Sequence, residues 1–103
     1  RPGILDFPTP DAPNPAHARR RAEDFLAAFP RHPRVSPSLF CHAPSTCGPE
    51  TLRWAKALAR EAGVLFQTHL AETEGEVAEV AKACGARPCE HLARLGILDA
   101  MTL

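Results

Sequence analysis

Two histidines and one glutamate are this chain's candidates for chemistry, by residue type and by position. His69 and Glu72 stand three residues apart in the run His69-Leu70-Ala71-Glu72-Thr73, where an apolar stretch gives way to a helical pattern. His42 follows an earlier apolar stretch in the same way, at the head of His42-Ala43-Pro44-Ser45-Thr46-Cys47. A neutral imidazole is a good ligand for zinc or iron. A carboxylate beside it can carry a proton between an activated water and a substrate nitrogen. Catalytic zinc takes about three protein donors and keeps one position open, so His69 alone is too few. From residue types alone the pattern stays open. A histidine near a strand end is more often structural than metal-binding, and Glu72 equally suits the first turn of a helix, whose dipole favours acids.

The surrounding elements decide whether these groups can meet. Ile4-Leu5 reads as a strand end, and the prolines at 8, 10 and 13 then deny both helix and central strand. Asn14-Pro15 predicts a helix start, with Ala18, Ala22, Phe25, Leu26 and Phe29 on one face until Pro30 and Pro33 stop it. Val35–Cys41 reads as a strand despite Pro37. Pro49 and Glu50 open a second helix whose apolar stripe is Leu52, Ala55, Leu58, Ala59 and Ala62, with Trp54 packing beside it and Gly63 as a left-handed cap. Val64–Leu70 is the next strand. Thr73 and Glu76 form a capping box for a third helix buried through Val77, Val80, Ala81 and Cys84 and ended by Gly85. Arg87-Pro88 starts a short fourth helix carrying Leu92 and Leu95, and Met101-Thr102-Leu103 reads as a strand beginning.

This alternation of strand and helix implies a parallel sheet with helices on its faces. Two full strands and two fragments do not close such a sheet. The expected fold class is therefore α/β: about two to three βα units of a partial (β/α)8 TIM-type barrel, with residues 1–103 lying within a single catalytic domain. Function in such folds collects at the carboxyl ends of strands. Neighbouring strands lie about 5 Å apart, so His42 and His69 could converge on one pocket. Alternation places Leu65, Gln67 and His69 on one face and Val64, Phe66 and Thr68 on the other.

Composition narrows the partners. Twelve basic and twelve acidic residues balance, and no basic stripe is interleaved with aromatics, so nucleic acid is not an expected partner. Arg19-Arg20-Arg21 is the one basic run, read as a solvated helix face. No apolar run is long enough to span a bilayer. The chain starts at Arg1 without a charged-then-apolar leader, so a signal peptide is not expected in it. Cys41, Cys47, Cys84 and Cys89 form no C-x-x-C pair and read as free thiols of a cytoplasmic protein. A cysteine/histidine metal domain using Cys41, His42, Cys47 and His69 is a weaker alternative, since the spacing fits no structural zinc pattern. His17, His32 and His91 read as structural, with His91 on a helix face.

The His42–Cys47 run followed by a Pro-Glu helix, the His69–Thr73 run, and the tail with Arg87-Pro88 and Leu95-Gly96-Ile97-Leu98 together resemble the amidohydrolase superfamily, in its methylthioadenosine/S-adenosylhomocysteine deaminase and triazine chlorohydrolase branch. The resemblance spans nearly the whole chain. It implies a (β/α)8 barrel holding one divalent metal, zinc first and iron second, and attack by metal-activated water on a ring carbon that loses ammonia or halide. It implies His69 as a metal ligand, Glu72 as the proton-carrying catalytic acid, and His42 as the substrate-contacting histidine. The implied activity is hydrolytic deamination of an aminated heterocycle or adenosine-type nucleoside, with dechlorination of a halogenated ring or an inactive binding module as alternatives. A small-molecule substrate is expected, and a homo-oligomer is compatible with it. Ser45 stands where the family commonly has an aromatic residue, and Gly48 where it commonly has Ser, which weakens a helix cap. The family's H-x-H pair and its later histidine and aspartate ligands are not among these residues, so activity is expected only of a longer parent and not of the 103 residues by themselves.

Overall fold

Helix starts follow the capping chemistry written in the sequence. The computed structural model describes residues 1–103. Asn14 caps α1 (Pro15–Ala28), its side-chain oxygen accepting from the His17 N–H. Gly63 ends α2 (Pro49–Ala62) in the left-handed conformation at φ +66°, and Val64 turns at once into the sheet. Two further helices follow, α3 (Glu74–Cys84) and α4 (Pro88–Arg94).

The strands are β1 (Gly3–Ile4), β2 (Ser38–Cys41) and β3 (Leu65–Gln67), all parallel and in that order. Gly3 lies opposite Phe40, and Phe40 opposite Gln67. Both main strands are shorter than the apolar runs predict. Pro37 has no N–H to give, so the β2 ladder begins at Ser38 rather than Val35. β3 ends at Gln67 rather than Leu70, although single bonds continue past it. Thr102 bridges Phe66 in parallel on the free side of β3, so the final residues do begin a fourth strand.

Alternation divides the sheet. Ile4, Leu39, Cys41 and Phe66 turn toward the helices and form one core with Ala22, Leu52, Ala55, Ala59, Leu92 and Ile97. Each large side chain among them contributes about 2 kcal/mol through burial. Gly3, Phe40 and Gln67 occupy the other face, where Arg1 reaches over Phe40 (4.4 Å to the ring centre) and donates to Gln67 Oε1 at 2.6 Å. The smallest dimension, 21 Å, accommodates two layers, sheet and helices. No helix is long and apolar enough to cross a membrane.

Three sequence expectations need correction. Ala62, placed on the apolar stripe of α2, is exposed at the last residue of the helix. Arg19 is not simply solvated: it donates to Thr51 Oγ1 (2.9 Å) and lies over the Trp54 ring at 5.0 Å. The cap lost at Gly48 is supplied from elsewhere in the chain. Asp6 accepts from the Gly48 N–H and from Thr51 Oγ1, each at 2.6 Å, at the positive end of α2. A Cβ at Gly48 would come within 3.3 Å of that carboxylate.

Lys56 was not legible as a core residue, yet it is 1% exposed. Its Nζ lies 5.6 Å from the Phe66 ring centre and donates to Asp99 Oδ1 (2.7 Å) and Thr102 Oγ1 (2.8 Å), tying α2 to the incoming fourth strand. Hydrogen bonds from Lys56 and then Arg60 hold the Asp99 carboxyl well below its ordinary value of 3.8. A depressed carboxylate stabilises the fold fully above that ordinary value and loses its contribution as pH falls further. Asp99→Ala should lower the urea midpoint more than Lys56→Met, since the first strands a buried ammonium and the second replaces it with apolar stem. Asp99→Asn should also flatten stability on the acid side below about pH 4. A larger loss in Lys56→Met would contradict this account of the pair.

Candidate metal and catalytic site

The inner face of the sheet carries its residues in layers. Gly3, Phe40 and Gln67 form one; two residues further along each strand stand Leu5, His42 and His69. Backbone bonds hold the tips together after the regular ladder ends. The His42 N–H donates to Ile4 O at 3.1 Å, and the His69 N–H donates to His42 O at 2.9 Å. The two imidazoles therefore come side by side, ring centres 5.4 Å apart and nearly perpendicular at 89°. Phe40 packs edge-on beneath both, 5.1 Å from His69 and 6.4 Å from His42. The expected convergence of His42 and His69 is what the geometry gives.

Glu72 joins them through a turn. Its carboxylate Oε1 lies 3.9 Å from His69 Nδ1, and both side chains are about half exposed. Ala71 makes this approach, at φ +56° in the left-handed region, where a Cβ costs roughly 1–2 kcal/mol. Thr73 caps α3, accepting from the Glu76 N–H at 3.0 Å. The return half of the box differs from expectation by one residue: Glu76 Oε2 accepts from the Glu72 N–H at 2.9 Å, not from that of Thr73. The cap thereby fixes the backbone of the acid itself.

His42 is held from its other side. Its Nδ1 lies 2.9 Å from Thr46 Oγ1, in a turn where the amides of Thr46 and Cys47 both donate to Ala43 O. Sequence reasoning passed over Thr46, Phe40 and Ala71. The first two had signals, a hydroxyl four residues past His42 and strand alternation two residues before it. A left-handed alanine has none.

The alternative Cys/His metal domain is excluded by facing. Cys41 and Cys47 are buried in the helix-side core, with Cys47 Sγ donating to Ile4 O at 3.1 Å, while His42 and His69 lie on the opposite face. The hydrogen bond to Cys47 and burial push the Cys41 thiol up, away from the thiolate a metal needs. The thiols are free, as expected. His91 is buried within α4 rather than spread on its surface. No group of three or more ligating side chains gathers anywhere in the chain. A cleft of about 640 Å³ opens at the amino ends of the strands beside Phe29, Val35 and Leu65, away from His42 and His69. Its ionisable lining residues are Arg31 and His32, with no carboxylate beside them, whereas the strand tips bring two imidazoles and a carboxylate together.

Comparison with known proteins gives a consistent result. The model of the amidohydrolase family matches residues 4–103. The chain is 46% identical over 97 residues to a 5-methylthioadenosine/S-adenosylhomocysteine deaminase of Aquifex aeolicus, covering 94% of this chain and 23% of that protein. It is 51% identical over 61 residues to a 5'-deoxyadenosine deaminase of Methanopyrus kandleri, covering 59% of this chain and 14% of that protein. Among solved structures, an adenosine deaminase from Xanthomonas campestris with bound zinc superposes with a TM-score of 0.93 at 29% identity, over 98% of this chain and 23% of that one. The chain thus spans about a quarter of such proteins and has the fold of part of a TIM barrel.

The turn at Ala71 makes a clear demand. Ala71→Gly should leave stability within about 1 kcal/mol, because strain relief offsets the freer unfolded chain, whereas Ala71→Val should cost more than Ala71→Gly and raise the distance between Glu72 and His69. Denaturant titration with a structure of each variant checks this; an unperturbed valine variant would contradict it.

Proposed function

This chain belongs to the amidohydrolase family, and we propose that it supplies part of the active site of a metal-dependent hydrolase that deaminates an aminated heterocycle, adenosine-type nucleosides first among them. One observation carries the proposal: His42 and His69 face one another at the carboxyl ends of adjacent parallel strands, with the Glu72 carboxylate 3.9 Å from His69. The names of the three proteins compared above, each a deaminase, favour deamination over dechlorination.

The residues present fit one corner of a metal site. His69 is a half-exposed imidazole packed against Phe40 and His42, with no hydrogen bond to its ring nitrogens and only the Glu72 carboxylate 3.9 Å from Nδ1, so a ring nitrogen is free for zinc or iron. The remaining donors must come from outside these 103 residues, in the full-length protein. When bound, the divalent ion supplies polarisation of a water for attack at the carbon that bears the amine. Glu72 takes one proton from the attacking water and passes it to the ring nitrogen; the second proton, from the hydroxyl now on carbon, goes to the amine, the C–N bond breaks, ammonia leaves and a ring carbonyl remains. His42 binds and orients the heterocycle. Phe40 packs edge-on against both imidazoles.

In the full-length protein, His69→Ala should abolish metal occupancy measured by elemental analysis. Glu72→Gln should keep the metal and reduce kcat by about 100-fold or more, since the amide cannot carry the proton. Full metal content in the first variant, or wild-type turnover in the second, would overturn the corresponding role.

A further inference from the structure

We propose that Thr46 is a positioning residue that fixes the tautomer of His42, so that the imidazole offers Nε2–H as a donor to a lone pair on the substrate. The inference rests on His42 being the substrate-contacting group. Thr46 sits in a turn pinned at both of its backbone groups: its N–H donates to Ala43 O (3.1 Å), and its carbonyl accepts from the Asp6 N–H (3.1 Å). Its hydroxyl is therefore presented from a fixed frame, 2.9 Å from His42 Nδ1 and 3.2 Å from Ala43 O.

A hydroxyl has one proton to give: either it goes to Nδ1, or it goes to Ala43 O and the hydroxyl oxygen accepts from a protonated Nδ1. Ala43 O already takes the amides of Thr46 and of Cys47 (2.9 Å), which occupy both of its lone pairs. The ring nitrogen is nearer and otherwise unpartnered. The proton goes to Nδ1, which makes Nδ1 an acceptor and leaves the neutral ring protonated at Nε2. The site then selects a substrate that turns an unprotonated ring nitrogen or an oxygen toward His42, and disfavours one that turns an N–H there, where two donors would meet.

The test uses the full-length, metal-loaded protein labelled with 15N-histidine. Two-bond 1H–15N correlations report the tautomer, and His42→Ala assigns the signal by its disappearance. The expected wild-type pattern is Nε2–H. Thr46→Val should mix the tautomers and raise KM about five- to tenfold with kcat within about threefold, and Thr46→Ser should restore both. An Nδ1–H pattern in the wild type overturns the proposal, even if the valine variant does not fold. So does a valine variant with unchanged signal and KM. The two readings fail separately. If His42→Ala leaves KM and kcat untouched while the tautomer follows Thr46, the substrate role of His42 is lost and with it the use of the clamp. If His42→Ala raises KM and Thr46→Val does not, His42 keeps its role and Thr46 has none.

Discussion

The hydrogen bond from the His69 N–H to the His42 carbonyl is the constraint on which the site depends. It extends the parallel pairing of β2 and β3 beyond the last regular ladder position and sets the two imidazoles at one level. Without it, His42 would still be tied to β1 through Ile4 O, but His69 would lose its bond to β2. With it, the pleat decides their direction, and the pleat is fixed by the core: Leu39, Cys41 and Phe66 must face the helices, so Phe40, His42, Gln67 and His69 must face away. Hydrophobic burial on one side of the sheet thus orients polar chemistry on the other.

The helices act through their termini. α2 begins immediately after the His42 turn, and Asp6 at its amino end joins the β1 loop to that turn. α3 begins immediately after Glu72, and its Glu76 holds the Glu72 amide. Lys56 and Asp99 tie the far side of α2 to the fourth strand. The first two links fix the turns that carry His42 and Glu72, and the third satisfies a buried charge.

Much of this was legible in the residues. Asn14-Pro15, Gly63 and Thr73 marked helix limits because their capping chemistry is local, and the pairing of apolar runs with helical stripes gave the parallel sheet. The convergence of His42 with His69 followed from strand alternation. What escaped depends on contacts distant in sequence. A lysine in a helix reads as solvated, and nothing near Lys56 announces Asp99, 43 residues away. Likewise the weak cap at Gly48 hides that Asp6 replaces it across 42 residues. Strand ends were overrun because apolar composition continues where Pro37 removes a donor. The family resemblance supplied roles for His42, His69 and Glu72 that spacing alone left open, and the amidohydrolase match agrees with the family assignment while leaving those roles to experiment.

Anomalous diffraction at the zinc and iron edges, from crystals of the metal-loaded full-length protein, tests the central claim most directly. The expected result is one metal peak about 2.0–2.2 Å from a ring nitrogen of His69, with the His42 ring in the same pocket but outside bonding distance. A metal bound elsewhere with His69 free, or the two rings turned to opposite sides of the sheet, would contradict it.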